Sequence, residues 1–401
     1  MIYNYDVVVI GAGPIGGYLS KNLSELGHSV LLIEEHAEIG RPFQCAGLVN
    51  PGAMEKVNLE ETALTRIWGA RLHSPSGSFI EIGDPSITRT WSVCRKLFDE
   101  QVVIQSIKSG TDLWLSSNPI SAVVKEDYVD LIINVDGSKT EVRTKLLCGA
   151  DGAHSWVRRY FKMGRPKEMM IGLQIEVTGY ESQDGRLELF TGDNISPGFF
   201  SWAIPSGDTT RIGVWSKPNL LGEESCENFL NNLMNNSPWK NKFSECKEVG
   251  RFCGPVPSGI LKKTMIERVA LFGDAAGICK PTTGGGIGPG FKQVDILVPL
   301  LSKAISDNKL SNKKMIQMSN SLNEMKRNHR RKRALRDAFL TEVSQEELDN
   351  IFEIWSRPEV IKLINELGDI ENPIPLGLRM LKDVPEFRKF AKKAAMAILW
   401  G

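Results

Sequence analysis

Continuous apolar runs alternate with an amphipathic segment at the start of the chain. Residues 6–10 (DVVVI) and 29–33 (SVLLI) are almost entirely apolar, as strands buried on both faces of a parallel sheet should be. Residues 14–26, between them, have the apolar spacing of a helix. The first 35 residues therefore predict a β-α-β unit.

The pattern changes twice further along the chain. A helical segment over 95–108 precedes short alternating strands, predicted near 111–116, 119–124, 129–135 and 141–147. From 170 to 215, segments separated by Gly, Asp, Asn and Pro predict an antiparallel sheet. Beyond about residue 286 the periodicity is helical, with interruptions predicted at Pro358, Pro373, Pro375 and Pro385.

This order of segments predicts an α/β fold in which a Rossmann-type nucleotide-binding domain carries an inserted antiparallel sheet domain and a helical C-terminal region. The nucleotide-binding domain is predicted to be discontinuous, over residues 1–72, 92–165 and 255–307. The sheet domain, expected to bind the substrate, takes 73–91 and 166–254. The helical region takes 308–401.

Composition excludes several classes of protein. The 401 residues carry 49 Lys and Arg against 48 Asp and Glu, a net charge of +1, so no overall field favours nucleic acid. The seven cysteines contain no C-x-x-C pair, which favours a reducing, cytoplasmic compartment over a disulfide scaffold. The five histidines show no metal-ligand spacing, and no apolar stretch is long enough to span a membrane.

A glycine-rich turn joins the first strand to the first helix. Gly11, Gly13 and Gly16 form a G-x-G-x-x-G pattern, in which the glycines allow a tight turn, close approach of a pyrophosphate and close packing of helix on strand. Glu34 ends the second strand, where a carboxylate can accept hydrogen bonds from ribose hydroxyls. An acid here disfavours a 2′-phosphate, so the pattern predicts FAD or NAD.

Three later segments decide between these two nucleotides. Arg95 opens a helix, Asp151 follows a buried strand, and Asp274 follows another strand and leads into the glycines of 284–286. Together with the first motif, these segments resemble the FAD-binding signatures of the flavoprotein superfamily that includes p-hydroxybenzoate hydroxylase. The resemblance implies FAD as the cofactor. It also implies cofactor contacts from further residues: Ile15, Cys45, Ala46, Leu48, Ala122, Gly286 and Ile287.

Two segments resemble the geranylgeranyl reductases within that superfamily. Residues 197–205 (PGFFSWAIP) with 213–215 (GVW) resemble the Y-x-W-x-F-P…G-x-G signature, and 40–47 (GRPFQCAG) resembles the family's cysteine loop. Three positions depart from the signature and bear on the shape of the isoprenoid tunnel. Phe200 replaces Tyr, Ile204 replaces Phe, and Trp215 replaces the last Gly.

The resemblance implies an enzyme in which reduced FAD saturates C=C bonds of geranylgeranyl chains, either in archaeal membrane ether lipid precursors or in geranylgeranyl diphosphate. It further implies an isoprenoid lipid substrate and an electron donor, either NAD(P)H or a low-potential donor such as ferredoxin. Cys45 becomes the candidate catalytic residue. The alternative is that Cys45 serves only as a small, buried, apolar side chain. The substrate contacts are expected from Phe200, Trp202, Pro205 and Gly213.

Two other functions stay open on the sequence. The segment Phe200-x-Trp202-x-Ile204-Pro also approaches the W-x-W-x-I-P pattern of flavin-dependent halogenases, so an FAD-dependent monooxygenase or halogenase is one alternative. Halogenases need a nearby lysine, which the sequence alone does not identify. A non-enzymatic electron-transfer flavoprotein is the other alternative.

The C-terminal region is basic. Seven Lys or Arg residues lie between Lys326 and Arg336, and residues 387–400 form a basic amphipathic segment ending in Leu and Trp. Such segments can lie on anionic lipid headgroups, which would place a cytoplasmic protein at the inner face of the membrane. The alternative is a solvated helix packed on the nucleotide domain. Nucleic acid is not expected as a partner, because no recognised module accompanies the basic run.

Overall fold

A computed structural model describes residues 2–42, 45–182, 185–368, 374–390 and 392. The strands are β1 (Ile2–Ile10), β2 (Val30–Ile33), β3 (Leu48–Val49), β4 (Ala63–Ile67), β5 (Gly69–His73), β6 (Phe79–Gly83), β7 (Thr90–Val93), β8 (Asp112–Trp114), β9 (Ser117–Val124), β10 (Val129–Val135), β11 (Ser138–Gly149), β12 (Glu168–Thr178), β13 (Arg186–Thr191), β14 (Phe200–Ser206), β15 (Thr209–Ser216), β16 (Lys247–Ser258), β17 (Met265–Ile266) and β18 (Val269–Leu271).

The helices are α1 (Pro14–Glu25), α2 (Pro51–Val57), α3 (Arg95–Lys108), α4 (Trp156–Tyr160), α5 (Pro218–Leu221), α6 (Cys226–Asn231), α7 (Ile287–Ser306), α8 (Asn312–Ser319), α9 (Asn323–Arg336), α10 (Gln345–Trp355), α11 (Pro358–Leu367) and α12 (Ile374–Asp383). Short 3-10 turns occur at Glu60–Thr62, Lys240–Phe243, Gly273–Ala276, Asn320–Leu322 and Pro385–Phe390, and π turns at Asn232–Asn236 and Asp337–Thr341.

The first sheet confirms the predicted Rossmann-type unit. Its strands follow the order β17-β18-β11-β1-β2-β8, and β1 pairs in parallel with both β2 and β11. Val7 and Val9 pack against α1, α3 and α7, whereas Val8 and Ile10 pack against the β10–β11 side of the molecule. Successive side chains of a strand point to opposite faces, so the continuous apolar run reflects a strand that is covered on both sides.

The second sheet has seven strands in the order β16-β12-β15-β14-β13-β5-β6. The expectation of a purely antiparallel sheet is corrected at one place, because β13 pairs with β5 in parallel. β5 comes from a segment far earlier in the chain, and periodicity within 170–215 carries no information about that partner. The predicted domain boundaries at 72 and 254 fall within single strands, because β5 runs from Gly69 to His73 and β16 from Lys247 to Ser258. A third, small sheet, β3-β7-β4, was not predicted from the sequence.

The predicted helical C-terminal region is confirmed for the described residues. Pro358 stands in the first turn of α11, where a missing N–H costs nothing, so it begins a helix. Within the described ranges, no helix has the length and apolar character needed to cross a bilayer.

The basic helix α9 packs on the rest of the protein through part of its surface. Arg333 and Arg336 are buried, while Arg327 and Arg330 are exposed. Arg336 contacts the Glu168 carboxylate at 2.8 Å and donates to the Pro281 carbonyl at 2.9 Å. Much of the predicted amphipathic segment 387–400 lies outside the described residues.

Candidate active site

One cavity of about 1230 Å³ runs from the carboxyl edge of the first sheet to a face of the second sheet. Its wall contains most of the residues that the sequence singles out: Gly11, Gly13, Ile15, Glu34, Cys45, Ala46, Leu48, Arg95, Asp151, Asp274, Gly286, Ile287, Phe200 and Trp202. Four other singled-out residues, all within the described part of the chain, lie outside this wall: Gly16, Ala122, Pro205 and Gly213.

The glycine loop has the geometry that a bound pyrophosphate requires. Gly11 has φ +98°, and a Cβ there would lie 2.6 Å from the Ala150 carbonyl oxygen. A Cβ on Gly16 would lie 1.8 Å from the Gly11 oxygen, so Gly16 allows helix and strand to pack and does not itself face the cavity. Gly13 precedes α1 and has no described atom within 4 Å of its ideal Cβ. The N-terminus of α1 is therefore accessible from the cavity at Gly13, and helix N-termini bind anions.

Glu34 connects the second strand to this loop. Its Oε2 accepts a hydrogen bond from the Ala12 N–H at 2.9 Å, and its Oε1 lies 2.7 Å from His36 Nδ1. The carboxylate thus holds the glycine loop in place while it lines the cavity. His36, which also lines the cavity, was not singled out by the sequence, because only its spatial position beside Glu34 marks it.

Two aspartates line the cavity from neighbouring strand ends. Asp151 Oδ2 accepts from the Val157 N–H at 3.0 Å, whereas its Oδ1 is buried and has no hydrogen-bond partner among the described residues. Burial raises the pKa of Asp151, and it also raises the pKa of Asp274. Buried polar atoms normally find a partner, so the orphaned Asp151 oxygen fits a ligand hydroxyl such as those of a ribityl chain.

The Asp274 turn is shaped for close approach of a ligand to backbone. Cys279 Sγ lies 3.1 Å from Asp274 Oδ1 and restrains this carboxyl. A Cβ on Gly286 would lie 2.8 Å from the same oxygen. Gly286 also precedes α7, and no side chain in the described part of the chain caps that helix start. This loop therefore offers a second helix N-terminus to the cavity.

Arg95 and Cys45 meet at the middle of the cavity. Arg95 forms a bidentate pair with Asp99, at 3.0 and 2.7 Å, and also hydrogen-bonds the Cys45 side chain. Burial opposes the charge on Arg95, but the Asp99 carboxylate outweighs it and raises the pKa of Arg95. The half-buried Cys45 side chain therefore lies beside a fixed positive charge. Phe43 and Gln44 of the same loop lie outside the described residues.

Arg211 is a site residue that the sequence analysis missed. It is 5% exposed and donates hydrogen bonds to the Ala46 and Val93 carbonyl oxygens at 3.0 and 3.1 Å. A Cβ on Gly47, which has φ +76°, would lie 2.2 Å from its guanidinium. Arg211 thus ties the cysteine loop to the second sheet. The available signal was that Arg211 is the one charged residue within strand β15, Thr209–Ser216.

Alternate residues of the second sheet form the cavity wall. Gln174, Gly213 and Trp202 lie side by side on three neighbouring strands. Trp202 Nε1 donates to Gln174 Oε1 at 3.2 Å, and a Cβ on Gly213 would lie 2.2 Å from Trp202 Cζ2. Gly213 therefore leaves the space that the Trp202 ring occupies. Pro205 alternates with the cavity-lining Ile204, which explains why it lies outside the wall.

Another part of the cavity wall is largely apolar and includes residues of the C-terminal helices. Leu72, Ile82, Leu187 and Leu189 of the second sheet belong to it, together with Ile364 and Leu376 from α11 and α12. Arg89 holds α11 by donating to the Asn365 carbonyl at 3.1 Å. Helix periodicity showed that these helices exist, but it gave no information about which face of the sheet they cover.

Two side-chain groups bear on the alternatives. Lys280 lines the cavity next to Gly285, so the cavity wall contains a lysine, as the halogenase alternative requires.

Glu34, Glu35 and His36 place atoms that could bind a metal ion within 4.8 Å of one another. Glu34 is already hydrogen-bonded to the Ala12 N–H and to His36, so the cluster is accounted for by these contacts.

The comparison with known families defines the class of protein. A family model described as an FAD binding domain matches residues 4–63 and 124–310, more than half of the chain. The two helix N-termini, the Glu34 carboxylate and the orphaned Asp151 oxygen fit this cofactor. The protein is a flavoprotein, and its cofactor is FAD.

Relatives narrow this class. A digeranylgeranylglycerophospholipid reductase from Methanosarcina acetivorans is 32% identical over 71% of this chain and 71% of the relative. Another, from Methanococcus vannielii, is 28% identical over 97% of this chain and 98% of the relative. A solved geranylgeranyl bacteriochlorophyll reductase-like protein from Thermoplasma acidophilum shares the fold, with a TM-score of 0.87 and 21% identity over 98% of this chain and 100% of that chain. The chain belongs to the digeranylgeranylglycerophospholipid reductase family, which confirms the resemblance found in the sequence.

Proposed function

We propose that this protein is an FAD-dependent reductase that saturates C=C bonds in the geranylgeranyl chains of membrane lipid precursors. The observation that carries the proposal is the continuity of the cavity. Its polar end has the groups that hold FAD, and its other end is an apolar chamber lined by Phe200, Trp202, Leu187 and Leu189. Burial of an isoprenoid chain in such a chamber contributes about 0.8 kcal/mol per CH2.

The residues that would hold FAD divide along the cavity. The glycine loop and Glu34 suit the adenosine diphosphate part, Asp151 suits the ribityl chain, and the Asp274–Gly286 loop suits the flavin ring. When bound and reduced, FAD supplies a hydride, while the protein supplies orientation and electrostatics.

The chamber contributes orientation, exclusion of water and a proton. An isolated alkene is a poor electrophile, so hydride and proton must be delivered with close alignment. The aromatic wall limits the positions that a chain can take, and the α11 and α12 side chains cover it from solvent. Cys45 is the proposed source of the proton, because it lines the cavity and its side chain is hydrogen-bonded to Arg95. Arg95 and Arg211 keep the cysteine loop in place.

The partners of the reaction follow from the same proposal. An isoprenoid lipid is the substrate, and NAD(P)H or a small redox protein such as ferredoxin reduces the flavin. Exposed cations of α9, such as Arg327, would favour contact with an anionic lipid surface. Such contact would place the protein at the inner face of the membrane, where its substrate lies.

The test is an anaerobic single-turnover reaction. Holoprotein is reduced with dithionite and mixed with a digeranylgeranyl glycerophospholipid, and the products are analysed by mass spectrometry. We expect a gain of about two mass units for each saturated bond, from the added hydride and proton. Absence of any gain, when the flavin is shown to be reduced beforehand, would contradict the proposal.

The position of the cofactor has its own test. Glu34→Ala removes the acceptor that fixes the glycine loop and faces the ribose, so the purified variant should retain less flavin than the wild type. Glu35→Ala changes the neighbouring carboxylate and serves as the matched control. Equal flavin content in wild type and Glu34→Ala would place the adenosine elsewhere.

The monooxygenase or halogenase alternative is favoured by one observation, the presence of Lys280 in the cavity wall. Dioxygen separates the two functions. A monooxygenase or halogenase consumes dioxygen in step with product, whereas alkene saturation proceeds without it. Turnover that requires dioxygen would therefore support the alternative.

A further inference from the structure

Trp215 occupies a position where the geranylgeranyl reductase signature has glycine. It lies in β15, two residues after Gly213, so both residues are on the face of the second sheet that lines the cavity. Its cross-strand neighbour on β12 is Gly172, which leaves the indole without a bulky side chain on that side. The ring is only 3% exposed, so it fills the space where it lies.

The indole ring bridges the sheet and the flavin-side loop. Its Cζ3 atom lies 3.2 Å from the position of an ideal Cβ on Gly284, in the loop that the proposed function assigns to the flavin ring. Edge contacts with Phe199 and Phe200, at centroid distances of 4.8 and 5.5 Å, hold the ring from the other side. Met170 completes the same small core. Trp215 is therefore wedged between the substrate chamber and the loop that contains Gly284.

We propose that Trp215 is a specificity-determining residue that closes the chamber beside the Gly284 loop and limits how far an isoprenoid chain can extend past the flavin. With glycine at this position, the space now filled by the indole would be open to a longer chain. The length of chain accepted beyond the reacting bond, and hence which bonds of the chain are reduced, then depends on this one side chain. The inference rests on the proposed function, because it assumes an isoprenoid in the chamber.

The test measures binding without requiring turnover. The ligands are glycerol monoethers whose chains are the fully hydrogenated forms of geranyl, farnesyl, geranylgeranyl and geranylfarnesyl. Each is titrated into oxidised holoprotein, and the change in flavin absorbance gives its Kd. In the wild type, we expect the affinity to stop improving at one chain length. The chain one isoprene unit longer than this limit should bind Trp215→Ala at least about tenfold more tightly than it binds the wild type. This increase in affinity corresponds to the burial of about two further methylene groups.

Two further variants keep this test decisive. Trp215→Phe retains an aromatic side chain and should fold even if Trp215→Ala does not, with a smaller gain for the longer chain. Trp239→Phe is the matched control, because Trp239 is a buried tryptophan in the core on the other side of the same sheet. It should show the chain-length dependence of the wild type.

The outcomes separate this inference from the proposed function. If the wild type binds isoprenoid ethers and both Trp215 variants keep the same dependence on chain length, the role of Trp215 is overturned and the proposed function stands. If the wild type binds none of the ethers, the proposed function fails first. In the anaerobic reaction with a geranylgeranyl lipid, Trp215→Ala should also change the number of bonds saturated per chain.

Discussion

The two faces of the second sheet differ sharply although they share the same strands. On β13, Leu187 and Leu189 point into the cavity, while Glu188 points the other way and is 1% exposed. The face of Glu188 is closed by protein: His73 Nε2 lies 2.6 Å from Glu188, and the Tyr180 hydroxyl donates to it at 2.7 Å. The other face borders the cavity, and it carries Gly172 and Gly213 beside the rings of Trp215 and Trp202.

The difference indicates a division of roles. The closed face is a packed core with a buried charge that is hydrogen-bonded by three side chains, including Lys242 at 3.0 Å. Substitutions there should act on the free energy of unfolding. The cavity face carries the aromatic rings of Trp202 and Trp215 and the side chains of Leu187 and Leu189, all of which line the cavity, so substitutions there should act on ligand binding and turnover.

The largest effect is expected at Glu188. Glu188→Ala removes the acceptor for His73, Tyr180 and Lys242, and loss of one partner from a buried charged network costs about 3–5 kcal/mol of unfolding free energy. Urea denaturation of the holoprotein measures it. Glu248→Ala, which removes a carboxylate from a partly exposed pair with Arg251, should cost at most about 1 kcal/mol. Equal costs for the two variants would contradict the division.

The same cluster predicts acid sensitivity. Burial alone would raise the pKa of Glu188, but hydrogen bonds from His73, Tyr180 and Lys242 outweigh it and lower the pKa from 4.5 to about 2. The unfolded chain then binds this proton more readily than the folded protein. About 3 kcal/mol of stability is therefore present above pH 4.5 and is lost as the pH falls toward 2.

His73 contributes in the same direction. Burial lowers its pKa, so its ring is neutral in the folded protein and stability falls as the pH drops below the ordinary range of histidine. The measurement is unfolding free energy against pH for wild type and Glu188→Gln. The variant should have a flatter acid limb, and an unchanged limb would rule out Glu188 as its source.

Arg211 is a buried charged residue on the cavity face of the sheet, so it sharpens the comparison. Arg211→Met leaves the Ala46 and Val93 carbonyls without their donor, at a cost of about 1–3 kcal/mol. Displacement of the cysteine loop should lower turnover by about tenfold to a hundredfold, as small misplacements of reacting groups do. Steady-state rates with a geranylgeranyl lipid are compared with flavin content. Unchanged turnover in a flavin-loaded variant would remove Arg211 from the site.

The smallest effect on stability is expected at Trp202. Trp202→Phe loses the hydrogen bond to Gln174 Oε1 but keeps a large ring, so the unfolding free energy should fall by no more than about 1 kcal/mol. The affinity for an isoprenoid ether should also fall, and the loss of binding free energy should exceed the loss of unfolding free energy. A large loss of stability with unchanged affinity would assign Trp202 to the core instead.

Sequence reasoning succeeded where the chemistry is local. Gly11, Glu34, Asp151 and Asp274 each stand at the end of a buried strand, and parallel strands bring such ends to one edge of a sheet. Their common cavity could therefore be predicted. The family resemblance supplied the apolar chamber through Phe200 and Trp202.

It failed where the structure depends on contacts between distant segments. The parallel pairing of β13 with β5, the anchoring of the cysteine loop by Arg211, and the closure of the chamber by α11 and α12 each join parts of the chain that periodicity treats separately. The same reason explains why Gly213 and Pro205 lie outside the cavity wall although they belong to the signature. Their positions serve the packing of neighbouring side chains, which only the cross-strand register reveals.

The central claim is that reduced flavin in this cavity gives its electrons to an isoprenoid alkene. The most direct test mixes anaerobically reduced holoprotein with a geranylgeranyl glycerophospholipid and follows the flavin absorbance. The account predicts that the yellow oxidised spectrum returns without dioxygen, at one flavin oxidation for each bond saturated. A flavin that stays reduced with the lipid and reoxidises only when air is admitted would contradict it.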